Sequence, residues 1–123
     1  MEIKHKDAEV VWEGNSLEVI RGFPASVRED LGAELRRLQV GELPLNSRPM
    51  TSIGLRVFEL KAQDERTWYR VVYLARIKNR LFVLHCFEKT SAKTSRNDLA
   101  VTKMRLRIVM ARLLVEQKNE RKN

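Results

Sequence analysis

Tyr69–Lys93 reads YRVVYLARIKNRLFVLHCFEKTSAK: two runs rich in Val, Leu, Phe and Tyr, one polar pair (Lys78-Asn79) between them, and a cationic end. A two-residue polar break between β-prone runs predicts a hairpin. If Ile77 and Arg80 close the turn, Val72 lies opposite His85, Arg70 opposite Phe87 and Trp68 opposite Lys89. Side chains alternate along strands, so Arg70, His85 and Lys89 are expected on one face of the sheet. A side chain that exchanges protons near neutrality, set between two fixed cations, points to chemistry on an anion.

The charge balance turns over where this hairpin begins. Through Trp68 the chain carries ten Lys/Arg against twelve Asp/Glu, and thereafter fourteen against four. An acidic front and a strongly basic back predict a polyanion-binding surface built late in the chain. With a pI near 10.1 the expected partners are nucleic acid, an acidic protein, or both. The 123 residues are 43% hydrophobic and 33% charged, which predicts one globular domain over 1–123 rather than disorder. No apolar run reaches membrane-spanning length and no signal-peptide pattern opens the chain, so no membrane is expected and a cytoplasmic location is. The single Cys86 excludes an internal disulfide and suits a reducing compartment.

Upstream, Val10-Val11-Trp12 predicts an early strand within residues 1–14. Ser16 is expected to cap a short helix, Leu17–Arg21, ended by Gly22. Pro24 suits the first turn of a second helix, in which Val27, Leu31, Leu35 and Leu38 form one apolar face. Gly32 suggests close packing against that helix, and Gly41 its stop. These two helices should form a hairpin laid on the sheet. Residues 42–54, with Pro44, Pro49 and Gly54, are expected as loop. Leu55–Lys61 should be the next strand, with Ala62–Thr67 as its connection. Pairing Lys61 with Trp68 sets Glu59 opposite Arg70, which also gives Arg70 a plain role in a cross-strand ion pair. Ser95 and Asp98 form a capping pair for a last helix over about 96–116, with a frayed tail at 117–123. Leu99, Met104, Ile108, Ala111 and Val115 approximate its apolar stripe, and Val101, Leu106, Val109 and Leu113 widen it beyond one sheet contact. The extra width reads either as deep burial or as a surface that docks a partner protein.

The inventory of chemistry is narrow. There is no phosphate-cradling Gly-rich loop, no dinucleotide fingerprint and no Cys/His metal spacing; His5 and His85 are the only histidines. RNA cleavage fits what is present. A ribose 2′-hydroxyl attacks the neighbouring phosphate if a base takes its proton, an acid supplies the leaving 5′-oxygen, and cations hold the phosphorane. His85 is the expected proton carrier and Arg70 the fixed charge with two donors. Lys61, Lys89 and Lys93 position phosphates or, with depressed pKa values, exchange protons. Phe87 stacks a base, and Arg56, Arg76 and Lys78 complete the expected RNA-binding set. Each residue also has a structural reading: a strand histidine held in place, lysines on a solvated face, a phenylalanine in the core.

From Trp12 onward the chain resembles the RelE/ParE toxin superfamily, and within it the phage-derived, HigB-like branch of type II toxin–antitoxin systems. The segments that carry the resemblance are WEGNSLEVIRGFP, LGAELRRLQVGELP, RPMTSIGLRVFELK, YRVVYLARIKNRLFVLHCFEKTSAKT and the closing basic helix. It implies an α+β fold: a small twisted antiparallel sheet, a helical hairpin on one face, a C-terminal helix, and an active groove on the other face. It further implies a ribosome-dependent mRNA endoribonuclease that needs no metal or other cofactor and acts on the 70S ribosome. A cognate antitoxin, in this branch usually a helix-turn-helix protein, silences it. The matching functional positions are Lys61, Arg70, His85, Phe87, Lys89 and Lys93. Thr90 stands where the family pattern has a second lysine, Ser95 where it has proline, and Lys61 where arginine is frequent. Two other readings stay open. Some superfamily members inhibit DNA gyrase and cut no RNA, and a basic module could bind RNA or an acidic protein without catalysis. His85 beside Lys89 favours the ribonuclease, since neither alternative needs a proton carrier there.

Overall fold

The expected hairpin is the centre of a five-stranded sheet. The computed structural model describes residues 6–122. In chain order it has β1 (Glu9–Trp12), α1 (Ser16–Arg21), α2 (Ala25–Gln39), β2 (Ser47–Pro49), β3 (Val57–Gln63), β4 (Trp68–Ile77), β5 (Arg80–Lys89) and α3 (Arg96–Lys122). The sheet order is β1-β5-β4-β3-β2. All neighbours are antiparallel except β1, which runs parallel to β5, so the sheet departs from the all-antiparallel expectation at one edge.

Lys78 and Asn79 both have positive φ, 51° and 62°, the signature of a type I′ turn. Ile77 faces Arg80, and Arg70, Val72 and Trp68 face Phe87, His85 and Lys89 as expected. Between these ends the ladder slips twice. Leu84 is an extra residue on β5 between the Val72–His85 and Tyr73–Val83 pairs, and β4 carries one extra residue between Leu74 and Ile77. The two bulges are on opposite strands, so they cancel and the register at both ends survives.

The β3–β4 register differs from expectation by two residues: Lys61 faces Arg70, Gln63 faces Trp68 and Glu59 faces Val72. Asp64 causes the change. Its Oδ1 accepts from the amides of Arg66 and Thr67, each at 2.9 Å, and its own amide donates to the Thr67 carbonyl. This Asx turn shortens the connection and extends both strands. A shift of two preserves side-chain parity, so no residue changes face.

The helical hairpin covers one face. Val27, Leu31 and Leu35 pack with Ile20 and Phe23 onto Leu60, Tyr69, Val71, Tyr73, Val83 and Cys86. Gly41, at φ +86°, ends α2 with two bonds, Gly41 N–H to Leu38 O and Glu42 N–H to Arg37 O, which is a Schellman stop. Gly32 faces solvent and nothing lies within 4 Å of a Cβ built there, so the expected close packing is absent. Ser16 lies inside α1, preceded by Asn15, and its hydroxyl donates to Val83 O at 3.3 Å, tying the helix to β5 rather than capping it.

Helix α3 packs on the opposite face, where Val109, Leu106 and Leu113 meet Val57, Val72, Leu74, Phe82, Leu84 and Phe87. The stripe expected to be buried is reversed here: Met104, Ile108 and Val115 are exposed, and Leu106, Val109 and Leu113 of the widening set make the contact. The helix also runs to Lys122, six residues past its expected end. Glu116 binds Arg80 at 2.6 Å and Glu120 binds Lys78 at 2.7 Å, so the last turns are held to the hairpin instead of fraying. Residues 47–49, expected as loop, form the short edge strand β2, whose length and Pro49 suit a sheet edge.

Candidate active site

Three rows of residues cross β3, β4 and β5 on the α3 side of the sheet. The first is Glu59, Val72 and His85; the second Lys61, Arg70 and Phe87; the third Gln63, Trp68 and Lys89. Arg48 of β2 pairs with Glu59 and adds a cation at the edge. Arg70 therefore sits at the centre of the grid. It, Lys89, His85 and Phe87 are all nearly buried, while Lys61 is half-buried and Trp68 exposed.

Glu59 organises the cations. Its side chain has no exposed surface, and its Oε1 lies 3.2 Å from Nε of both Arg48 and Arg70. The Arg48 contact is a hydrogen bond; the Arg70 contact is not aligned as one. Glu59 Oε2 and Arg70 Nε consequently have no hydrogen-bond partner among the described residues. Burial pulls the Arg70 guanidinium below its ordinary pKa, Glu59 draws it back up, and Arg48 opposes that. Burial likewise lowers Lys89; Glu59 raises it, and Arg70, Arg48 and Lys61 push it further down. Arg48, Arg70 and Lys89 thus share one buried carboxylate, and Lys61 lies close enough to act on Lys89, which leaves this face net positive.

His85 is held at both ring nitrogens. Nε2 lies 2.7 Å from Asp98 Oδ1, and Arg105 Nη1 lies 3.3 Å from Nδ1. A guanidinium only donates, so Nδ1 accepts and Nε2 carries the proton donated to Asp98. Burial lowers the His85 pKa, the Asp98 hydrogen bond and charge raise it, and Arg105 lowers it again. Asp98 is itself set by Ser95, whose Oγ accepts from the Asp98 amide at 3.0 Å and donates to Oδ2 at 2.6 Å. This is the expected capping pair.

The remaining candidates spread out. The Phe87 ring stacks on His85, centroids 5.1 Å apart and 23° between planes, and belongs to the core beneath α3. The aromatic that presents surface on this face is Trp68, 44% exposed. It borders two open clefts at the sheet's end and edge: one of about 750 Å³ where Lys61 and Arg70 meet Asp30, Glu34 and Arg37 of α2, the other of about 770 Å³ where Lys89 and Thr90 meet Pro24 and the Asp64 turn. Lys93 is exposed on the loop before α3. Arg56, Arg76 and Lys78 lie toward the far end of the sheet from Arg70. Arg76 donates to the carbonyls of Leu38 and Gln39 at the end of α2, Arg56 donates to Arg76 O, and Lys78 pairs with Glu120. Sequence reasoning named Asp98 only as a cap and did not name Arg48, Arg105 or Trp68 for the site. The parity of Trp68 with Arg70 was the available signal for it.

Among the described residues no group of three or more His, Cys, Asp or Glu side chains could hold a metal ion. No helix among the described residues is long and apolar enough to cross a membrane.

Comparison with known proteins fits this architecture. A family described as Phage derived protein Gp49-like (DUF891) matches residues 18–107. The chain belongs to this phage-derived, Gp49-like family. The matched span of the Gp49-like chain runs from α1 into α3 and includes every residue of the grid. The free-state structure of a double-mutant E. coli toxin RelE is similar at 19% identity, covering 76% of this chain and 95% of that one with a TM-score of 0.55. The isolated E. coli RelE toxin is similar at 20% identity, covering 79% and 98% with a TM-score of 0.49. At such identity the likeness is one of fold. No curated protein matches the chain.

Proposed function

We propose that this Gp49-like chain is the toxin of a type II toxin–antitoxin system, of the HigB-like branch, and that it cleaves mRNA on the ribosome without a metal. The observation that carries this reading is Arg70 at the centre of a cationic sheet face, beside an amine whose pKa burial has lowered. Arg70 and Lys61 hold the non-bridging oxygens of the scissile phosphate, and Trp68 stacks a neighbouring base. The 2′-oxygen forms a bond to phosphorus as the bond to the 5′-oxygen breaks, leaving a cyclic phosphate and a 5′-hydroxyl. His85, an imidazole, and Lys89, an amine whose pKa burial lowers, are the two proton carriers, one to take the 2′ proton and the other to supply the leaving oxygen. His85 acts by exchanging one of its two bonds, to Asp98 or to Arg105, for substrate. Lys93 and Arg48 add phosphate contacts at the rim. A cognate antitoxin, of the helix-turn-helix kind usual in this branch, neutralises the toxin.

The test is induced expression of wild type and Arg70→Ala/His85→Ala in a bacterium, with transcript ends mapped by primer extension. New ends inside translated regions are expected for wild type alone, and only when ribosomes occupy the message. Growth arrest without new ends would move the reading to gyrase inhibition, which supercoiling assays then test. Absence of both arrest and new ends would leave a non-enzymatic basic module. That second reading draws on one observation: both nitrogens of His85 are already engaged.

A further inference from the structure

Helix α3 has two apolar seams, and the fold uses one. Thr102, Leu106, Val109 and Leu113 turn to the sheet. Roughly 150° round the axis, at 100° per residue, lies a second set: Val101, Met104, Ile108, Ala111 and Val115. Their alternating three- and four-residue spacing is that of the a and d positions of a coiled coil. Met104 is 45%, Ile108 49% and Val115 57% exposed.

The charges round this second seam are sorted by sign. All three acids of α3 turn back to the body, Asp98 to His85, Glu116 to Arg80 and Glu120 to Lys78. Arg96, Lys103, Arg107, Lys118 and Arg121 recur along the outer side, and none of the five has a carboxylate within ion-pair distance among the described residues. On the other flank Arg112 is paired with Glu13. A second copy of the chain would bring the same unpaired cations to the same seam, so like charge opposes self-association. The complementary occupant is an acidic helix.

We propose that the outer seam of α3 docks an amphipathic helix of a partner protein, with apolar residues at a and d spacing and carboxylates beside them. The docking stands independently of whether the groove cuts RNA, because the seam faces away from the grid.

Fluorescence anisotropy with the full-length chain tests it, at about 150 mM salt so that charge alone is screened. The probe is a labelled synthetic helix with Leu at a and d and Glu at the flanking positions. Binding is expected, and Met104→Ser/Ile108→Ser/Val115→Ser should weaken it roughly tenfold or more, as removal of central anchors does. Thermal unfolding of that variant should be unchanged, since the three side chains are exposed. Lys103→Glu/Arg107→Glu, which leaves the seam intact, should transfer preference to the same helix carrying Lys for Glu. Three results would overturn the proposal: no binding of the acidic helix, equal binding of polyglutamate, or a wild-type dimer by sedimentation that the serine variant abolishes. Equal binding of polyglutamate would make the stripe a polyanion track, and the dimer would make the occupant a second copy.

Discussion

Arg70 and Glu59 are tied to each other in stability as well as in charge. Removing one partner of a buried ion pair costs about 3–5 kcal/mol, because the other is left buried and unpaired. Arg48 still touches Glu59, so Arg70→Ala should fall near the lower end of that range in urea unfolding. Arg70→Ala/Glu59→Gln should regain much of the loss; a double variant no more stable than the single would refute this account of the pair. His85 sets the acid limb of stability. Its folded pKa lies below the ordinary 6.5, so on acidification the unfolded chain takes up the proton first. The stabilisation is complete above about pH 6.5 and is lost as pH falls toward the folded value. His85→Phe should flatten the fall in stability below pH 6.5, followed by denaturant titrations at several pH values; an unchanged slope would show that His85 does not drive it. Much of this site was legible before the fold was known, because period-two alternation puts Lys61, Arg70, His85 and Lys89 on one face in any register that differs by an even number of residues. Asp98, Arg105 and Arg48 were not legible as neighbours. Their contacts depend on where a distant helix and a three-residue edge strand come to rest, and no local pattern encodes that.

At the scale of the element, the Lys78-Asn79 turn and the α2 stripe with its Gly41 stop were readable because each rests on short-range chemistry. The misreadings have equally local causes. An Asx turn at Asp64 moved the β3–β4 register by two, and the Pro-rich segment 42–54 concealed β2. Helix α3 meets the sheet on the side its expected stripe does not mark, because it has two apolar seams and the sequence does not say which one is covered. Ser95 shows how a departure from the family pattern is absorbed. In place of proline it supplies a hydroxyl that caps α3 and fixes Asp98, which in turn holds His85. Ser95→Ala should cost about 1 kcal/mol, the usual value of an N-cap, and should also loosen the imidazole. NMR of the His85 ring would detect the second effect as a changed pKa. A cap that served α3 alone would leave the ring resonances where they are.

For the molecule as a whole, the two faces divide the labour. The α2 side is sealed by a continuous apolar cluster, and the α3 side carries the ionisable groups under partial cover. Cys86 belongs to the sealed side, with its thiol pushed up to about 12 by burial. It points away from His85, its neighbour in sequence, because alternation sends adjacent residues to opposite faces. That makes the single thiol a reporter already installed in the chain. In the folded state it is neither ionised nor reachable, so an alkylating reagent modifies it only when the cluster beneath α2 opens. Labelling followed by intact-mass spectrometry should proceed no faster than global opening permits, with protection matching the unfolding free energy from urea. Labelling much faster than that would reveal a separate opening of the α1–α2 lid. The groove variants can then be ranked for stability from nanogram samples, without a dye, a tag or an engineered probe.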